Sequence, residues 1–133
     1  MSDTSLYERL GGTYGIAGAV DILVDRLFAS ASVNANEAVH AHHGDAGNAP
    51  GYKFLVTAWT IQATGGPQCY PGQDMTKAHE TLSITEENFD AVAMEIGATL
   101  NFLNVPQAEH REFMDIIEGY RCEVVTDRAV VTA

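Results

Sequence analysis

Apolar residues recur at three- and four-residue intervals along several stretches of this chain, which is the spacing of one helix face turned to a core. Ser5-Leu6-Tyr7-Glu8 has the spacing of a capping box and opens a short helix that stops at Gly11-Gly12. From Gly15 to Ala29 the stripe is Ile16, Val20, Leu23, Val24 and Leu27, with Asp21, Asp25 and Arg26 facing outward. A second face runs through Tyr52, Leu55, Val56, Trp59, Thr60 and Ala63, and Gly65-Gly66-Pro67 ends it. A helical turn spans Met75 to Leu82. Ser83-Ile84-Thr85-Glu86 then caps a long helix with Phe89, Val92, Ile96, Leu100 and Leu103 on one side. Val105-Pro106 restarts the chain, with Pro in the first turn of a last helix whose apolar face is Phe113, Ile116, Ile117 and Tyr120.

Between Ser30 and Pro50 the periodicity is lost, which predicts a loop carrying one helical turn around Asn36 to Val39. Strand-like runs amount to the Val124-Val125 and Val130-Val131 pairs. The pattern predicts one all-α domain over residues 1–133, with an extended loop at about 34–51 and a frayed tail after about 122. A chain of 133 residues buries about two-thirds of its unfolded surface, enough for a single core.

Charge narrows the function. Eighteen acids against seven bases give a net −11, which disfavours nucleic acid and anionic membrane surfaces as partners. No apolar run approaches the roughly eighteen residues of a membrane span, and Met1-Ser2-Asp3-Thr4 has no signal-peptide character, so a cytoplasmic protein is expected. Cys69 and Cys122 read as two free thiols.

One residue stands out chemically. His79 lies between Met75 and Leu82 in the short helical turn, and an imidazole in an apolar seam has two explanations. Either its nitrogens are satisfied by backbone groups in the core, or it is a metal ligand.

Three separated motifs bear on that choice. Leu6-Tyr7-Glu8-Arg9-Leu10-Gly11-Gly12, then Gly65-Gly66-Pro67-x-x-Tyr70-x-Gly72-x-x-Met75-x-x-Ala78-His79, then Phe89-Asp90-Ala91-Val92 together resemble the group I truncated haemoglobins. The resemblance runs from about Ser5 to Tyr120. It implies a two-over-two helical globin that holds haem b, with His79 as proximal iron ligand and the opposite axial site open to dioxygen, nitric oxide or carbon monoxide. It also implies cofactor contacts from Val24, Tyr52, Lys53, Val56, Trp59, Met75, Lys77 and Leu82, with Lys77 reaching a propionate at the rim. Any enzymatic role would be nitric oxide dioxygenase-like or peroxidase-like. The expected partners are a diatomic gas and an electron-donor reductase, for a monomer or weak oligomer.

The distal side departs from the family pattern. Counting from Gly11-Gly12 puts Val24 where relatives carry a tyrosine, and counting back from Gly65-Gly66-Pro67 puts Val56 where they carry a glutamine. A hydrogen bond to a charged group contributes about 1.5 to 3 kcal/mol, so losing it weakens ligand retention roughly ten- to a hundredfold. Two substitutes are in reach. Tyr52 lies one turn before Val56, and one of His40, His42 and His43 is a candidate sixth ligand, from a loop about six residues longer than the family pattern. The latter reading makes a bis-histidine haem protein for redox, electron transfer or sensing; the competing one is a solvated loop. Val39 is the candidate to replace the family's haem-wedging Phe, and Cys122 falls near the position at which some relatives attach a haem vinyl covalently.

Overall fold

Breaks in the periodicity fall at residues that cannot extend a helix. Gly11, at φ 95°, turns the chain from α1 (Leu6–Arg9) into α2 (Gly12–Ala29). At Gly66 the constraint is space. The α1 backbone is tied to the end of α4 (Ala49–Ala63) by Tyr7 N–H donating to Thr64 O at 2.8 Å, and a Cβ on Gly66 would stand 2.6 Å from Tyr7 Cδ1 and 2.8 Å from Ile61 O. The computed structural model describes residues 4–127, and every regular element in that span is helical.

The remaining elements are α3 (Glu37–His43), α5 (Met75–His79), α6 (Glu86–Phe102), α7 (Gln107–Glu118) and α8 (Arg121–Val124). α2 packs against both α4 and α6, and α6 against α7, so that the α2–α4 pair lies over the α6–α7 pair. Three apolar clusters hold this arrangement. Leu6, Leu23, Ile96, Leu100 and Phe113 join the two pairs. Ile16, Val20, Val24 and Ile61 seal α2 to α4, with Tyr52, Val56 and Phe28 packed on them. Ile84, Phe89, Val124 and Val125 form the third, flanked by Val39, Met75 and Leu82.

Four local expectations are corrected. The 34–51 stretch is mostly helical: a 3₁₀ turn at Val33–Ala35, the two-turn α3 and a further turn at Ala46–Asn48 lead straight into α4, with Pro50 in its first turn. Asn36 is what nucleates α3, since its Oδ1 accepts from Val39 N–H at 3.1 Å. The cap of α6 is the reciprocal pair Thr85 and Asn88, because Ser83 is consumed in a left-handed turn at φ 51°. Pro106 precedes α7 as its N-cap instead of entering the first turn.

Residues 123–127 are also ordered against the expectation of a frayed tail. α8 follows, Val124 and Val125 are buried, and the Thr126 and Asp127 N–H groups both donate to Ile84 O at 3.0 Å. Two buried Val side chains contribute about 1.5 to 3 kcal/mol each, which offsets part of the roughly 1 to 2 kcal/mol per residue lost on ordering backbone. Arg121 adds ion pairs to Glu86, Asp90 and Glu118 at 2.9, 2.6 and 2.8 Å and lies 4.3 Å over the Phe89 ring. The Val130-Val131 pair and residues 1–3 lie outside the described residues.

Candidate haem site

α5 is only five residues long, and its orientation comes from its start. Asp74 caps it by accepting from Lys77 N–H at 2.8 Å, and His79 is its last residue. His79 is half-buried, and its Nδ1 donates to Met75 O at 2.8 Å. A backbone carbonyl has no proton to give, so the neutral ring carries its proton on Nδ1 and its lone pair on Nε2. Among the described residues Nε2 has no hydrogen-bond partner. One ring nitrogen is anchored, and in the neutral ring the other keeps its lone pair for a ligand's role.

The flanking side chains are apolar. Met75 and Leu82 pack on the Ile84–Phe89 cluster together with Val39, so Val39 shares their side of the fold. On the other pair of helices Val24, 1% exposed, is the most deeply buried residue of the α2–α4 seam, and Val56 and Tyr52 pack on the same cluster. One imidazole lone pair with apolar walls suits an iron porphyrin, whose two faces need hydrophobic contact and whose iron takes imidazole nitrogen. By contrast, no group of three or more His, Cys, Asp or Glu side chains converges among the described residues, so His40, His42 and His43 do not build a separate metal centre there.

Tyr52 stands at the edge of the Val24–Val56 wall. Its ring meets Phe28 edge-on at 5.6 Å and His43 edge-on at 5.8 Å. Burial raises the phenol above its usual value, so it stays a protonated donor at neutral pH, and its hydroxyl has no partner among the described residues. Burial, and then the neighbouring His42 and His40, lower the His43 pKa. Trp59 is half-buried and engaged edge-on with Tyr120 at 5.4 Å, which ties α4 to the α7–α8 corner.

The two lysines part company. Lys53 is held by Asp21 and Asp25 at 2.7 and 2.9 Å, whereas Lys77 is exposed on α5, two residues from His79. Cys69 and Cys122 are exposed thiols outside any disulfide. Phe28 and Asn34 were not singled out by the sequence, and Asn36 was named only as the start of a helical turn. Phe28 follows Val24 by one turn on the same helix face and was legible from spacing; the two asparagines act through contacts remote in sequence and left no periodic signal.

Comparison with known proteins agrees with this geometry. A family model described as bacterial-like globin matches residues 5–126. The group 1 truncated haemoglobin of a Synechocystis is 33% identical over 108 residues, covering 78% of this chain and 82% of that protein. The truncated haemoglobin of Tetrahymena pyriformis, solved in its Fe(III) form, superposes with a TM-score of 0.79 at 27% identity over 92% of this chain and 98% of that one. A 2/2 haemoglobin of a Synechococcus, solved in the cyanomet state with covalently attached haem, does so with a TM-score of 0.72 at 30% identity over the same shares of the two chains. The chain belongs to the bacterial-like globins, as a group 1 truncated haemoglobin with a two-over-two helical fold.

Proposed function

We propose that this globin binds haem b through His79 Nε2 and holds dioxygen, nitric oxide or carbon monoxide reversibly on the opposite axial side. The observation that carries the reading is the His79 ring, anchored through Nδ1 to Met75 O with Nε2 left as a lone-pair donor. When bound, the porphyrin supplies the iron at which a small ligand is taken up. The protein's own part is to seat and tune it. Met75 and Leu82 supply apolar contact on the His79 side, and Val24 and Val56 keep water from the other. Tyr52 is the donor near that wall, a phenol available to a ligand that carries partial negative charge.

Lys77 is the better propionate anchor, because the Lys53 ammonium is already neutralised by two carboxylates. Covalent attachment through Cys122 finds no support in its exposure, since a vinyl would have to meet the thiol inside the pocket. A wall with one hydroxyl retains dioxygen less firmly than one with two donors, which favours reversible binding over nitric oxide dioxygenase-like or peroxidase-like turnover. An electron-donor reductase and a cytoplasmic location belong to the same reading.

A second reading, a six-coordinate bis-histidine haem protein for redox, electron transfer or sensing, is favoured by one observation: α3 turns His43 inward against Phe28 and Tyr52. Titration of haemin into the wild-type chain and into His79→Ala tests the shared foundation. A Soret band that saturates at one haem per chain is expected, with His79→Ala losing affinity by about a hundredfold or more. Equal affinity and identical spectra for the two would sink the assignment of His79.

A further inference from the structure

The three histidines of α3 are chemically distinct. His40 and His42 are exposed, while His43 faces inward with its ring stacked on Phe28 at 4.4 Å between centroids. Its Nδ1 lies 2.7 Å from Asn34 Oδ1. Which end of the Asn34 amide faces the ring is settled by the other end. Nδ2 lies 3.1 Å from Leu27 O, 3.1 Å from Phe28 O and 2.8 Å from Ser30 O, three acceptors at the end of α2 that only an NH₂ group can serve.

The amide oxygen therefore accepts from His43, which must carry its proton on Nδ1 and keep its lone pair on Nε2. His79 reaches the same state through Met75 O. This chain thus holds two imidazoles in the tautomer that ligates metal through Nε2. One stands beside the Met75–Leu82 wall, and the other stands beside Tyr52, which packs on the Val24 cluster. His43 as a neutral ring cannot donate a hydrogen bond from Nε2 to a distal ligand, so its chemistry there is that of a Lewis base.

We propose that His43 is the sixth ligand of the porphyrin iron, with Asn34 as the positioning residue that sets its tautomer. The inference rests on the haem reading above and deepens its second form. With His43 on the iron, a diatomic ligand enters only when that side chain leaves. Apparent affinity is then reduced by the fraction of molecules in which the site is open.

Optical absorption and electron paramagnetic resonance of the haem-loaded chain decide between the outcomes, together with long-range ¹H–¹⁵N correlation of the histidine rings before haemin is added. Wild type, His40→Ala and His42→Ala should give a low-spin bis-imidazole spectrum, and His43→Ala a high-spin one. His43→Phe, which keeps the stacking on Phe28, should match His43→Ala and covers the case in which the smaller residue unfolds α3. Carbon monoxide should bind His43→Phe about tenfold or more faster than wild type. In the haem-free chain His43 should be protonated on Nδ1, and Asn34→Ala should abolish that preference. A high-spin wild type, or a low-spin spectrum that survives in His43→Phe, overturns the proposal while leaving His79 in place. A wild type that develops no Soret band overturns the haem reading and this inference with it.

Discussion

Asn36 offers the sharpest quantitative test, because one side chain there performs two separable tasks. Its Oδ1 caps α3 by accepting from Val39 N–H at 3.1 Å. Its Nδ2 reaches across to the turn before α6, at 2.8 Å from Leu82 O, 3.0 Å from Asn88 Oδ1 and 3.2 Å from Ser83 O. An amide has two hydrogens for those three acceptors, so two full bonds are the fair count, at about 1 kcal/mol each. The cap contributes about 1 kcal/mol more. Asn36→Ser keeps a good cap and loses the bridge, a cost of about 2 kcal/mol; Asn36→Ala loses both, about 3 kcal/mol. For a chain of this size 1 kcal/mol moves the melting temperature by roughly 4 °C, which gives about 8 °C for Ser and 12 °C for Ala. Thermal melts followed by far-ultraviolet circular dichroism, with and without haemin, read these shifts, and hydrogen exchange at the α3 amides should accelerate in step. A Ser variant that melts with wild type refutes the bridge. Equal losses for Ser and Ala refute the cap.

Two further outcomes follow from the side chains around the site. Tyr52→Phe removes the hydroxyl near the Val24–Val56 wall and keeps the ring contacts with Phe28 and His43, so dioxygen should leave the loaded protein roughly ten- to a hundredfold faster by stopped flow; an unchanged rate would mean the phenol does not reach the ligand. The hydrogen bond and charge of Arg121 hold the Glu118 carboxyl below its usual value. A carboxylate whose folded pKa is depressed stabilises the fold above its unfolded pKa of about 4.3, and that contribution disappears as pH falls through the lower folded value. Arg121→Met should therefore be less stable than wild type to urea at neutral pH, with the gap narrowing toward about pH 3. A gap independent of pH would assign the loss to the cation–π contact with Phe89 alone.

The helix stripes were legible because each buried residue repeats a local period: Ile16, Val20, Leu23 and Val24, and later Phe89, Ile96 and Leu100, all lie in the core as spacing predicts. His79 was legible for another reason, since its neighbours Met75 and Ala78 and the upstream Gly65-Gly66-Pro67 form a motif. What the chain's pattern concealed lies between residues 30 and 50. α3 has no fully buried residue of its own, and beside the half-buried Val39 and His43 what holds it is polar: Asn36 bonded to groups 46 and 52 residues away, and Asn34 bonded to His43. Hydrophobic periodicity cannot report such contacts. Residues 123–127 were misjudged because the charges around them suggested solvent, whereas Arg121 spends its charge on three acids and Val124 and Val125 are buried beside it.

The carbonyl that anchors His79 belongs to the backbone of Met75, so every amino acid at that position presents the same acceptor. A carboxylate partner would leave the basicity of the His79 imidazole open to alteration by a single codon change. In the proposed haem site the electron-releasing strength of His79 would be written into helix geometry, and the side chain at position 75 would be free to vary with the shape of the pocket without disturbing it.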